Sequence, residues 1–121
     1  MIKAHFIVFL LISLTTLFAC NRTEFNKEKW SGGRDDIGSP SIYRKQMLHD
    51  LVANHELIGL KYGELINQLG KSDRMEDRKV YYNIIVEYGF DIDPVYTKDL
   101  VFNLSADTVV KSFTVTEWET N

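Results

Sequence analysis

A single cysteine, Cys20, stands in the whole sequence. One thiol excludes an internal disulfide and any zinc site built on a cage of thiolates. Clustered basic charge is lacking too. Fourteen Lys and Arg against 17 Asp and Glu give a formal net charge of -3, with no basic run of five or more. A nucleic-acid or anionic-lipid surface needs such a cluster, so no nucleic-acid partner is expected. There is no Gly-x-Ser-x-Gly elbow and no Gly-rich phosphate loop; Gly59, Gly63 and Gly70 have the spacing of corners and caps. Past residue 20 only His49 and His55 remain as histidines. Six residues apart on a helix, they point ~120° from superposition, which is not metal-ligand spacing. Asp91-Ile92-Asp93 starts like a calcium loop, but Val95 stands where a third oxygen ligand belongs and Tyr96 where glycine belongs. Asp93-Pro94 reads as a turn instead. The pair Asp35-Asp36 lies where nothing desolvates it. A chain of 121 residues holds at most one small domain, with little room for a pocket of convergent titratable groups. No catalytic residue, metal, cofactor or small-molecule substrate is therefore expected.

What is present begins with a targeting segment. Lys3 supplies a positive start, and Phe6 to Ile12 is an uninterrupted apolar run. The run from Ala4 to Ala19 is short for a membrane span, which needs ~20 predominantly apolar residues. The tetrad Leu17-Phe18-Ala19-Cys20 resembles the bacterial lipobox, with Leu three residues before the cysteine and a small residue just before it; Phe18 is bulkier than that pattern prefers. The resemblance implies cleavage between Ala19 and Cys20, a diacylglyceryl thioether on Cys20 and an acylated amine. At ~0.8 kcal/mol per buried methylene, two or three chains anchor a protein permanently to a membrane. The expected plan is a lipoprotein signal peptide at 1–19, a lipidated cysteine and tether at 20–40, and a small domain at 41–121. Asn21 is not the acidic residue that retains some lipoproteins at the inner membrane, which favours the outer membrane where that sorting rule applies.

Residues 21–40 carry Gly32-Gly33, Gly38, Pro40 and mixed charge, the composition of a linker. Phe25 and Trp30 are foreign to a linker and are expected to dock on the domain. Ser39-Pro40-Ser41 is a helix start. Tyr43, Met47, Leu48, Leu51 and Val52 then form one stripe of an amphipathic helix ending near Asn54 or His55. A second helix is expected over Lys61–Leu69, with Leu65, Ile66 and Leu69 inward and Gly70 as its left-handed stop. Lys71 to Arg78 reads as charged and exposed.

Three strands follow. Val80–Tyr88 should bury Tyr82, Ile84, Val86 and Tyr88 and turn Tyr81, Asn83 and Glu87 outward. Asp99–Ser105 and Val109–Trp118, joined by Ala106-Asp107-Thr108, should form an antiparallel hairpin. In the last strand Phe113 and Val115 are expected on one face, and Val110 and Trp118 on the other. The order predicts an α+β fold, two helices on one face of a three-stranded antiparallel meander. Tyr81, Glu87, Trp118 and Trp30 are the candidate partner-binding residues, since Tyr and Trp are enriched at interfaces; the same aromatics could equally complete a small core.

Gly59 and the stretch Leu60-Lys61-Tyr62-Gly63-Glu64-Leu65-Ile66-Asn67-Gln68-Leu69-Gly70-Lys71-Ser72-Asp73 resemble the "Gly, helix, Leu-Gly, x-Pro-Asp" signature of SmpA/OmlA (BamE-like) lipoproteins. Leu69-Gly70 and Asp73 match. Ser72 replaces the usual proline and Lys61 the usual hydroxyl cap. Over roughly residues 44–116, the resemblance implies a two-helix, three-stranded domain shared by an envelope lipoprotein supporting outer-membrane barrel assembly and by β-lactamase-inhibitor proteins. Both uses are protein binding. The chain also resembles small Bacteroidetes-type lipoproteins with Trp30 in a short tether, from which no function follows. The expectation is a non-catalytic, membrane-anchored protein-binding module, accessory to outer-membrane assembly or integrity. The alternative is an inhibitor or immunity lipoprotein acting on a secreted hydrolase or toxin.

Overall fold

The computed structural model describes residues 23–32, 40–90 and 92–120. Ala19 and Cys20, with the cleavage and lipidation assigned to them, lie outside the described residues. Among the described residues, three helices, α1 (Lys27–Ser31), α2 (Ile42–Asn54) and α3 (Tyr62–Leu69), precede four strands: β1 (Arg74–Glu76), β2 (Lys79–Tyr88), β3 (Pro94–Leu104) and β4 (Val110–Glu119). The strands form one antiparallel sheet in chain order. The class is α+β, as expected, with one helix and one strand more than the sequence suggested.

The extra helix lies within the expected tether. Asn26 caps it, its side chain accepting from the Lys29 N–H at 3.0 Å. At five residues it has no independent stability; docking holds it in place. Trp30 is fully buried against the core, and Phe25 packs edge-on to it at 5.8 Å between ring centres. The Phe25 N–H donates to Asp50 Oδ2 at 2.7 Å. That contact, the Asn54 side chain and His55 hold the Asp50 carboxyl below its ordinary value. The folded unit therefore begins ahead of residue 41.

α2 starts where expected, with Ser41 Oγ accepting from the Tyr43 N–H. Its inward stripe is Arg44, Met47, Leu48 and Leu51; Tyr43 is exposed. α3 ends at Gly70, whose φ of +80° suits glycine. A Cβ there would also come within 2.7 Å of Ser31 Cβ in α1. The Gly70 carbonyl accepts from Tyr82 Oη at 2.7 Å, tying the end of α3 to β2. Burial drives the Tyr82 hydroxyl far above its ordinary pKa, so it stays protonated and donates.

β1 was missed because it is three residues long and wholly exposed. A two-residue turn joins it to β2, with Asp77 and Arg78 both at positive φ. Two bulges correct the expected faces. In β2 the register jumps between Asn83 and Ile85, so Ile84 and Ile85 both turn to the helix side and the alternation beyond them reverses. Tyr88 is consequently exposed rather than buried. In β4 the register jumps beside Lys111, so Val110 joins the core on the same side as Phe113, while Trp118 stays on the opposite face. The core runs from Trp30 through Met47, Leu51, Leu65 and Leu69 to Val80, Tyr82, Leu100 and Phe102.

Candidate functional site

Among the described residues, helices cover only part of the sheet, and the end they leave uncovered holds a group of exposed apolar side chains. β2 and β3 run on past α2 to a hairpin tip. Tyr88 and Val95 are exposed there, and Phe90 and Ile92 almost completely so. Single exposed apolar residues need no explanation, but four at one tip, with a half-exposed Trp118 two strands away, form a cluster. Behind the tip, on the helix side, two adjoining grooves share Lys45 and Ile85. One, of about 630 Å³, is apolar and lies between Pro40, Ile42 and β2. The other, of about 470 Å³, is bordered by Glu87, Tyr96 and Glu119.

Glu87 thus faces the grooves on the helix side, not the outer face expected of it. The β2 bulge is the cause. Around it stand Tyr96, Glu117 and Glu119, with Lys98 3.9 Å from Glu117. Loss of hydration, then the carboxylates of Glu117, Glu87 and Glu119, push the Tyr96 hydroxyl above its ordinary value. It is a neutral donor beside carboxylates. The arrangement is apolar surface with an acidic collar.

The other expected contact residues are dispersed. Tyr81 is half-buried on the outer face, its ring under the Arg74 guanidinium at 3.9 Å. Trp118 shares that face through the register Val86–Thr97–Trp118. Trp30 is fully buried, and this corrects its place among the candidate contacts: it holds the fold and presents no surface. Between Tyr81 and Trp118 lies Asp99, opposite Asn83 and Thr116. Its Oδ1 is buried with no hydrogen-bond partner among the described residues. Burial raises its pKa, and Arg74 only partly opposes the shift.

Sequence reading missed the most buried polar pair. Arg44 Nη1 lies 2.6 Å from Asp73 Oδ2, both side chains almost fully buried. Arg44 Nε donates to the Trp30 carbonyl at 2.8 Å and Nη1 to the Asn83 carbonyl at 2.9 Å, while the Asn83 N–H donates to Asp73 Oδ2 at 2.7 Å. β1 begins only at Arg74, opposite Tyr81, so the pair takes up the edge of β2 that β1 leaves open at Asn83. Asp73 is thus buried, not part of an exposed loop. The available signal was the stripe itself, whose Met47, Leu48 and Leu51 spacing continues back to an arginine.

No protein-family model, no curated protein and no solved structure matches this chain.

Proposed function

We propose that this chain is a lipid-anchored protein of the cell envelope whose domain binds another protein without catalysis, at the outer membrane, as an accessory to its assembly or integrity. The observation that carries the reading is the uncovered end of the sheet, where Tyr88, Phe90, Ile92 and Val95 stand exposed beside an acidic collar. Apolar patches of this kind on a small domain mark contact surfaces. The lipobox-like Leu17-Phe18-Ala19-Cys20 supports the anchor, and the SmpA/OmlA-like stretch ending at Leu69-Gly70 and Asp73 supports the accessory role.

A second reading draws on the same hairpin. Phe90 and Ile92 protrude from a tip, the shape that enters a cleft, which favours an inhibitor or immunity protein for a secreted hydrolase or toxin.

The test is in-cell crosslinking of the tagged chain, followed by purification in detergent and identification of the adduct, with Phe90→Ser/Ile92→Ser run in parallel. A barrel protein or its assembly subunits, lost in the double variant, supports the accessory role. A soluble hydrolase inhibited by the purified chain moves the function to the second reading. An adduct that survives the double variant unchanged removes the tip from the interface. Separately, Cys20→Ala should release the chain from salt-washed membranes; retention there overturns the anchor.

A further inference from the structure

We infer that the free edge of β4 pairs with the same edge of a second copy, antiparallel, about a two-fold axis at Thr114. β4 is the last strand of the sheet, ten residues long, and no described strand covers its outer side. Open edges of this length are templates for strand addition, and proteins that stay monomeric blunt them with proline, bulges or inward charge. From Ser112 to Glu119 the pairing with β3 is regular, without proline or bulge, and its inward charge, Glu117 and Glu119 on the helix side, is confined to the far end.

The direction of the free groups limits the register. Thr120 donates its N–H inward to the Val95 carbonyl at 3.0 Å. By alternation, the N–H and C=O of Phe113, Val115, Glu117 and Glu119 point away from β3. At the other end the edge is already used: Val110 accepts from Gly59 N–H and donates to the Leu60 carbonyl, both at 2.8 Å. The free edge thus runs from Lys111 onward.

Self-pairing about Thr114 matches these limits. It sets Phe113 opposite Val115 twice, as hydrogen-bonded pairs, joining two incompletely covered apolar side chains on the helix side. It brings Lys111 beside the second copy's Glu117 at both ends. Sliding the two-fold to Val115 sets Phe113 against Glu117. Sliding it to Phe113 sets Lys111 against Val115. Only the Thr114 register pairs charge with opposite charge and apolar with apolar, and opposite-charge and apolar cross-strand pairs are the favourable ones. The loop at Gly59–Leu60 stops the second copy's strand after Glu117.

The test uses the full chain in a Cys20→Ala background, so that an introduced cysteine is the only thiol. Thr114→Cys faces itself across the axis and should form an intermolecular disulfide under mild oxidation. Thr116→Cys faces Ser112 of the second copy and should not. Lys111→Glu and Glu117→Lys should each weaken association about tenfold by sedimentation, and the double variant should regain it. Val115→Pro removes an outward N–H that β3 does not use and should give a folded monomer. A folded Thr114→Cys chain without crosslink, equal crosslinking at Thr116, or no rescue in the double charge swap overturns the proposal. The outcome is independent of the anchor and of the partner.

Discussion

The same two strands, β2 and β3, cross two regions that differ in almost every physical respect. Under the helices, Val80, Tyr82, Leu100 and Phe102 are fully buried, and two polar contacts lie among them: Arg44 with Asp73, and Tyr82 Oη with the Gly70 carbonyl. Past the Ile84 bulge, the helix side carries Glu87, Tyr96, Lys98 and Glu119 beside a half-buried Ile85, and Tyr88, Phe90, Ile92 and Val95 are exposed to solvent. The first region has the composition of a core, where polar groups persist only when paired. The second has the composition of a contact surface. One extra residue in β2 separates them, and it does so by reversing which side chains face the helices.

The largest effect is expected in the covered region. Arg44→Ala leaves Asp73 buried without its cation and the Asn83 carbonyl without its donor, and should cost about 3–5 kcal/mol of unfolding free energy in a urea titration. A loss below about 1 kcal/mol, the value of an exposed pair, would show that the pair is an ornament of the fold and the two regions are alike.

A smaller, opposite effect belongs to the outer face. Asp99 has its pKa raised by burial, so the folded form binds a proton more tightly than the unfolded chain. Its contribution to stability therefore grows as pH falls through the raised folded value toward 3.8, the ordinary one, and is absent above both. Asp99→Asn should raise the melting temperature at neutral pH and flatten that acid-side gain. A fall at neutral pH would give the carboxylate a structural partner that its buried Oδ1 lacks.

The smallest stability effect is expected for Trp118→Ala. The side chain is 53% exposed, so the change should stay within about 0.5 kcal/mol, as for ordinary surface substitutions. Adduct formation in the crosslinking experiment should nonetheless fall. A large thermal loss with an unchanged adduct would move Trp118 from the contact region to the core.

Elements with a long period were legible in the sequence. α2, α3, β2 and the β3–β4 hairpin follow from stripes and caps that local chemistry dictates, although β3 starts at Pro94, five residues ahead of the expected Asp99. β1 was not, because three exposed residues carry no period, and its place comes from the Asp77-Arg78 turn. α1 was hidden for another reason: its residues are polar except Trp30, and only the finished core makes it a helix. The candidate site was legible in composition but not in orientation. Tyr81, Glu87 and Trp118 lie on strands as expected, yet a bulge is a backbone choice that side-chain alternation does not announce, and it moved Glu87 across the sheet. Arg44 was overlooked because a buried arginine reads as a gap in an apolar stripe until its carboxylate arrives from the loop before β1.

The hydrogen bond from the Phe25 N–H to Asp50 sets a length scale. A lipidated Cys20 followed by twenty free residues would let the domain roam; the 21 steps from Cys20 to Ser41 reach about 75 Å when extended. With Phe25 clamped at 2.7 Å to α2, the leash of a chain lipidated at Cys20 would be the five steps from Cys20 to Phe25, at most about 18 Å. That is less than a small domain's diameter. A chain anchored in this way cannot search the space between two membranes. If Cys20 is lipidated as proposed, the chain would scan a shell one protein deep above its own lipid leaflet, and whatever it met would already have to be there.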